Sequence, residues 1–405
     1  MIVETAGKSS DRWLCCQLRA REHFMVPVGL ARRQALSHAI TDMWVPPGSV
    51  PGRLVPRLRN LYHPDLAGRV TAFNGPALMF EASQTLARAT GWTRMLRRNE
   101  WFQSQALEVL KRRHSDATVL FSYSYTARRL FEYAKAAGLK TVMVQIDAGL
   151  AEERLVAALQ ARHPGLEVNW HAAPREYWEK WQAEIDLADR IIVHSAWSRD
   201  ALVREGVKED KLVVVPLGYE APKESAGFER SYPERFSSAR PLRVLFLGQV
   251  TMRKGALAML DAARELRNEP VEFIVAGPNA LDLSKRGGDH GRIRWLGPVP
   301  RGRTSAVYQS ADVFLLPTVS DGFGLAQLEA QAWRLPLVAT ANCGAVVRDG
   351  INGVRLREGS GSEVAAVLRR MLAEPAALIE MSRSATIDEL HHPDRFAAAL
   401  QRSVQ

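Results

Sequence analysis

The chain has 405 residues, 46% of them hydrophobic, with a formal net charge of +10 and three cysteines. Such a length leaves room for two domains of about 200 residues each, and the lack of repeats or low-complexity runs excludes a solenoid or a disordered chain. No apolar run nears the ~18 residues of a membrane-spanning helix, and three cysteines, two of them adjacent at Cys15 and Cys16, make neither a disulfide framework nor a metal site.

The opening stretch, MIVETAGKSSDRW, carries no apolar leader core, so the expected location is the cytoplasm. Trp13 to Gln17 reads as the first strand. A loop from Leu18 to Glu22, a helix from Phe24 to Arg33 and a strand from Ser37 to Thr41 follow. This order begins a Rossmann-like domain. Pro46 to Pro64 is rich in Pro, Gly and Arg and is expected to be an insertion loop. Leu86 to Arg113 holds seven Lys/Arg against two Glu, with Trp92, Trp101 and Phe102 interleaved. Phe102, Ala106, Val109 and Leu110 share one helical face. A basic amphipathic helix of this kind suits a membrane surface with anionic lipid. It equally suits the flank of a sheet, with its basic side in solvent.

Ala117 to Tyr123 and Lys140 to Gln145 are the next strands. Asp147 lies just past the second, where ligands of open α/β sheets bind; a turn-capping Asp is the plainer reading. His163 to Asp186 is expected to be helical. ADRIIVHSAWS (188–198) and KLVVVPLG (211–218) close the first half, and Pro216 to Pro241 reads as a linker.

Leu242 to Gly248 is a buried strand by its apolar run. It leads through Gln249 to Arg253, Lys254 and Gly255, then into a helix through Leu266. A strand, a loop with two cations and a helix start make a cradle for a diphosphate. Val271 to Ala276 and Ile293 to Leu296 are strands, and Gly297 to Pro300 is a loop containing Val299. Arg303 to Ser310 is a helix and Val313 to Leu316 a strand. Asp321-Gly322 is expected to open a helix with Leu325, Leu328, Ala332 and Leu335 facing a core. Gly322 and Gly324 let a ligand approach the backbone, and the first free N–H groups favour an anion. On a continuous helix Glu329 lies about 12 Å from Asp321, at ~1.5 Å per residue. The two carboxylates could then span a sugar and a ribose with a diphosphate between, or serve as a helix cap and a solvated face. VRDGINGV (347–354) suits a tight turn with positive φ at Gly350 and Gly353. Helices near Gly361 to Ala373 and Ala376 to Glu389, and a helical tail from Pro393 to Val404, complete the chain.

Several of these stretches resemble the retaining glycosyltransferases of family four (glycosyl transferases group 1). DGFGLAQLE (321–329) resembles the family's Glu-Gly-Phe-Gly-Leu-Pro-x-x-Glu, with the first Glu shortened to Asp. Lys254-Gly255 matches the end of its Gly-Arg-x(4,5)-Lys-Gly, Gln249 standing where the Arg is usual. The segments at 188–198, 211–218 and 347–354 resemble further family motifs. The resemblance implies an α/β fold class with two Rossmann-like domains (GT-B) facing each other across a cleft. Residues 1–218 would bind acceptor and 219–388 the nucleotide sugar, with 389–405 a helix returning to the first domain.

The resemblance also implies roles. Lys254 and Arg253 would hold the leaving diphosphate, Asp321 would orient sugar hydroxyls, and Asp147 would face the acceptor near the reacting sugar, where the family's usual His is missing. Gly248, Gln249, Gly255, Val299, Gly322, Phe323, Gly324, Leu325 and Glu329 would surround the donor. Arg19, Arg21 and Gln145 would lie on the acceptor side. The donor is expected to be a UDP- or GDP-sugar, with no cofactor, and the leaving diphosphate would help deprotonate the acceptor on the same face. No Asp-x-Asp occurs and protein cations can replace a metal, so metal-independent transfer is expected. The basic balance favours polyanions: a saccharide or lipid-linked acceptor in cell-envelope or exopolysaccharide synthesis, and peripheral contact with anionic membrane on the inner face of the plasma membrane. No nucleic-acid-reading motif is present, so no nucleic acid is expected. The rival readings are a non-catalytic polyanion- or membrane-binding protein on a degenerate GT-B fold and a nucleotide-sugar epimerase; donor hydrolysis separates the binder from the transferase.

Overall fold

The computed structural model describes residues 11–287 and 291–404. The opening residues read as lacking a leader lie, through Ser10, outside the described residues. The first half contains β1 (Trp13–Gln17), α1 (Met25–Arg32), β2 (Leu36–Thr41), α2 (Val50–Leu54), β3 (Val70–Ala72), α3 (Asn74–Leu86) and α4 (Gly91–Arg113). It continues with β4 (Val119–Tyr123), α5 (Arg128–Ala136), β5 (Lys140–Val144), α6 (Gly149–Arg162), α7 (Arg175–Leu187), β6 (Arg190–Val193), α8 (Ala196–Arg204) and β7 (Leu212–Val214). These strands form one parallel seven-stranded sheet in the order β3-β2-β1-β4-β5-β6-β7. The run WLCCQ is buried at every position of β1, as a strand covered on both faces requires.

The second half contains β8 (Leu242–Leu247), α9 (Ala256–Glu265), β9 (Val271–Ala276), β10 (Ile293–Gly297), α10 (Thr304–Ser310) and β11 (Val313–Leu316). Then come α11 (Ala326–Ala332), β12 (Leu337–Thr340), β13 (Gly353–Leu356), α12 (Gly361–Ala373), α13 (Pro375–Ser384) and α14 (Pro393–Arg402). Its six strands form a second parallel sheet, β10-β9-β8-β11-β12-β13. Two parallel sheets flanked by helices, each with a strand-order reversal beside its first strand, are two Rossmann-like domains. The tail helix α14 packs on α1, close enough that a Cβ on Gly29 would sit 2.8 Å from that of Ala397. Nearby, Tyr219 N donates to His391 O at 2.9 Å and Lys140 Nζ to Val404 O at 3.2 Å, so the tail returns to the first half.

Five expectations need correction. Residues 46–64 are not irregular: helical turns lie at 50–54, 56–61 and 64–66, each with a proline in its first turn, where the missing N–H breaks no bond. The helix expected over 163–186 forms only from Arg175, as α7; residues 163–174, with Pro164, Gly165 and Pro174, are not helical and separate it from α6. The helix expected to run to Glu389 ends at Ser384. Of the two turn glycines, Gly350 has φ +73°, but Gly353 already belongs to β13, where a Cβ would lie 2.1 Å from Leu337 O. Finally, no helix opens at Asp321-Gly322. The chain runs as a loop, Gly324 adopts φ +78°, and α11 begins only at Ala326. The apolar face of α4 (Phe102, Ala106, Val109, Leu110) is buried against the first sheet, so its sheet-flank alternative holds.

Candidate active site in the interdomain crevice

The carboxyl ends of both sheets face one crevice, and three loops meet there. The β8–α9 loop, Gly248 to Gly255, is pinned to the β11–α11 loop. Arg253 O accepts from Val319 N at 2.8 Å and from Thr318 Oγ1 at 3.1 Å. Gly255 adopts φ +80°, and a Cβ there would lie 1.9 Å from Pro317 O, so only glycine lets the two loops touch. This lacing brings Lys254 Nζ into an ion pair with Asp321. Burial works to raise the Asp321 pKa, but Lys254 and Arg253 outweigh it and hold the carboxylate below its ordinary value.

Arg253 points the other way, across the crevice. Its Nη1 lies 3.3 Å from Oε1 of Glu152, in the first turn of α6, and donates to Ser320 O at 3.2 Å. Burial opposes its charge, and Glu152, Asp321 and Asp147 together raise its pKa nonetheless. Burial pushes Glu152 up to about 7, with Arg253 pulling against it and Asp147 and Asp321 adding repulsion. Ser320 Oγ donates to Glu152 at 2.8 Å and accepts from Trp197 Nε1 at 3.0 Å, which joins the β11–α11 loop to α8. Met252 N donates to Glu167 at 3.0 Å. Glu152, Glu167 and Ser320 were not singled out from sequence, and Trp197 only as the aromatic of the motif at 188–198. Of the three, Glu152 carries a usable signal, an acid in the first turn of the helix after the strand that precedes Asp147.

Asp147 is held hard. Tyr125 Oη at 2.7 Å, Gln145 Nε2 at 2.7 Å and Gly149 N at 2.9 Å all donate to its Oδ1. Gln145 is fully buried, with its Oε1 accepting from Trp181 Nε1 at 2.9 Å. It lines none of the cavities described here, so it positions Asp147 rather than meeting an acceptor itself. Asp147 borders two cavities. One, of about 220 Å³, lies between the domains and is lined by Glu152, Glu167, Gln249 and Arg253 as well. The other, of about 890 Å³, lies in the first domain, where Arg19, Arg21, Arg94, Arg98 and Tyr125 also line it. Arg19 and Arg21 thus line the same first-domain cavity as Asp147.

The loop that carries those two arginines is strained. Glu22, His23 and Phe24 have φ of 47°, 60° and 63°, and Arg19 has 54°. The turn is locked from inside: Tyr123 Oη donates to Glu22 at 2.8 Å, and Glu22 lies 3.2 Å from His194 Nε2. Burial favours the neutral forms of both groups, yet their mutual attraction lowers the Glu22 pKa and raises that of His194.

The donor-side residues do not all converge. Lys254, Arg253, Gly255 and Asp321 form one cluster. Gly322 faces the first domain so closely that a Cβ would lie 2.0 Å from Ile146 O, which closes the crevice at that point. Phe323 is buried, its ring edge-on to His391 at 5.5 Å. Leu325 caps α11, and its N–H groups are not the helix start expected from Gly322. Glu329 accepts from Tyr308 Oη at 2.6 Å and lines a separate cleft of about 150 Å³ with His23, Tyr219, Arg301 and Trp333. The 12 Å helical separation from Asp321 therefore does not apply, because most of the intervening residues are loop. Val299 is half-buried in the loop after β10, Gly248 has φ +145° at the end of β8, and Gln249 is exposed beside the interdomain cavity. None of the cavities described here is lined by Lys254, Asp321 or Gly322.

Two facing Rossmann-like domains with a charged crevice at their strand ends define the GT-B class, and solved structures agree. HepE of Anabaena, in complex with UDP and glucose, superposes with a TM-score of 0.61 at 14% identity, covering 97% of this chain and 99% of that one. Sucrose-phosphate synthase from Thermosynechococcus elongatus gives 0.62 at 16% identity, covering 97% and 98%. Residues 241–374, which run from β8 through α12, match the family model described as Glycosyl transferases group 1. The match to that family thus falls on the second domain of a chain with the GT-B fold. By sequence the chain is similar to the D-inositol 3-phosphate glycosyltransferase of Nocardiopsis dassonvillei, 30% identical over 234 residues, which are 50% of this chain and 54% of that protein. The chain spans about half the length of the curated relatives it matches.

Proposed function

We propose that this chain is a glycosyltransferase that moves a sugar from a nucleotide-diphosphate sugar to a hydroxyl, with retention of configuration. One observation carries the reading: two adjacent cations of the β8–α9 loop, Arg253 and Lys254, sit at the carboxyl ends of the second sheet in contact with acids, inside a glycosyl transferases group 1 domain. The barrier to such a transfer is charge separation between a leaving diphosphate and an oxocarbenium-like sugar. Preorganised cations in a water-poor site lower it most. In this reading Lys254 and Arg253 exchange their carboxylate partners for the diphosphate. Asp321, released from Lys254, turns to the sugar hydroxyls. The diphosphate takes the acceptor proton on the face it leaves. Glu329, held by Tyr308, accepts from the ribose hydroxyls.

Donor entry requires the lobes to part where Gly322 meets Ile146. UDP is the favoured nucleotide, on the ground that HepE, which shares the fold, is solved with UDP and glucose. Two protein cations can meet the diphosphate charge, so transfer is proposed to need no metal. The acceptor is proposed to be a saccharide or lipid-linked hydroxyl compound of cell-envelope or exopolysaccharide synthesis, entering the 890 Å³ cavity beside Arg19, Arg21 and Asp147.

A thermal-shift screen against UDP-, GDP-, ADP- and dTDP-sugars, followed by a donor-hydrolysis assay, tests the proposal, since a ligand that binds the native state raises its melting temperature by mass action. Stabilisation by one nucleotide series together with slow hydrolysis is expected. Asp321 in place of the family's Glu, Gln249 in place of its Arg and the missing His near Asp147 favour a non-catalytic binder as the second reading. A stabilising donor that is never hydrolysed or transferred would select it.

A further inference from the structure

The helix α3 presents an unusual face to solvent. Its only charged residue, Glu81, turns inward to Arg94 and Arg98 on α4, while Ala77 and Gln84 are buried on the same side. Outward face Leu78, Met79 and Leu86, which are 62%, 75% and 86% exposed, with Ala82 between them. No charge interrupts this stripe. Immediately beyond it, residues 87–98 supply Arg88, Arg94, Arg97 and Arg98 and no acid, and Arg88 and Arg97 are exposed. The basic character expected of the 86–113 segment is thus real. The exposed apolar surface belongs to the preceding helix instead, because the apolar face of α4 is taken by the sheet.

We infer that α3 and the start of α4 form a contact surface for a bilayer containing anionic phospholipid. Leu78, Met79 and Leu86 enter the acyl boundary, and the exposed Arg88 and Arg97 meet the lipid phosphates. Charge complementarity selects this occupant over a second copy of the chain, which would bring the same arginines face to face. The stripe covers only a few hundred Å², short of the ~800 Å² per partner that a stable dimer needs. The surface is also continuous with the rim of the 890 Å³ cavity, which Glu81, Arg94, Met95 and Arg98 line. The inference stands whether or not the sugar-transfer reading holds.

The test is sedimentation of the full chain with vesicles of phosphatidylcholine alone or mixed with phosphatidylglycerol. The chain is expected to bind the mixed vesicles and to be released by high salt. A triple variant, Leu78→Ser with Met79→Ser and Leu86→Ser, should bind at least about tenfold more weakly, since three apolar side chains no longer leave water. Its melting curve should be unchanged, because none of the three is buried. A second variant, Arg88→Glu with Arg97→Glu, should bind more weakly too. Failure of the unmodified chain to bind mixed vesicles overturns the proposal. So does equal binding by the triple variant. A dimer that the triple variant abolishes, without vesicle binding, also overturns it and assigns the stripe to a second copy.

Discussion

Arg253 of the second domain reaches across the crevice to Glu152 of the first, Nη1 lying 3.3 Å from Oε1. Glu152 is largely shielded from solvent, and burial lifts its pKa from 4.5 to about 7 even though Arg253 pulls it down. An acid with a raised native pKa keeps its proton longer in the folded than in the unfolded chain. Between about pH 4.5 and 7 the native state therefore binds more protons, and stability falls as pH rises through that window. Glu152→Gln removes this dependence. Wild type should lose on the order of 3 kcal/mol relative to the variant between about pH 4.5 and 8. Glu184 is also raised to about 7 by burial, so only the difference between the two proteins isolates Glu152. Denaturant melts across that range provide the measurement, and a pH-independent difference would show that Glu152 does not titrate there.

Lys254→Ala removes the cation beside Asp321 and leaves a buried carboxylate unpaired. The expected loss is about 3 kcal/mol of stability and at least about a hundredfold in sugar transfer. Adding Asp321→Asn should restore the melting temperature but not the activity. That split separates the structural pair from its chemical use. If the double variant regains transfer, the diphosphate role of Lys254 is wrong.

Gly322→Ala places a methyl 2.0 Å from Ile146 O, in the contact between the domains. The lobes should be held apart, raising the radius of gyration in solution scattering and lowering transfer, while each domain keeps its own melting behaviour. An unchanged scattering profile would mean that the crevice already stands open at this point in solution.

Tyr308→Phe deletes the hydroxyl that donates to Glu329 at 2.6 Å. One lost hydrogen bond to a charged group costs roughly 1.5–3 kcal/mol of stability and leaves Glu329 free to rotate, so the KM for donor should rise with kcat little changed. Glu329→Ala should show a larger effect of the same kind. Isothermal titration with the free nucleoside diphosphate checks both. If Tyr308→Phe and Glu329→Ala bind it as wild type does, the cleft they share does not receive the ribose.

Much of the frame was legible before any coordinates. The strands at Trp13–Gln17, Leu242–Leu247 and Val313–Leu316 are apolar runs too short for helices, and a strand buried on both faces allows few other compositions. The pairing of Lys254-Gly255 with DGFGLAQLE likewise stands in the chain itself. Boundaries fared worse where backbone and sequence disagree. Gly322 and Gly324 looked like the mouth of a helix, yet Gly324 at φ +78° holds the chain in a loop until Ala326. The amphipathic pattern of 102–110 could not say whether the sheet or a membrane would take its apolar face.

The chain alone determined two Rossmann-like halves and a cationic loop in the second. Those features follow from local periodicity and from residues close together in sequence. Only the tertiary structure decided that Arg253 faces Glu152 while Lys254 faces Asp321, that Gln145 supports Asp147 instead of a ligand, and that Glu329 opens onto a different cleft. Arg253 and Glu152 lie in different domains and meet only when packing brings the carboxyl ends of the two sheets together across the crevice, and no spacing rule along the chain encodes that meeting.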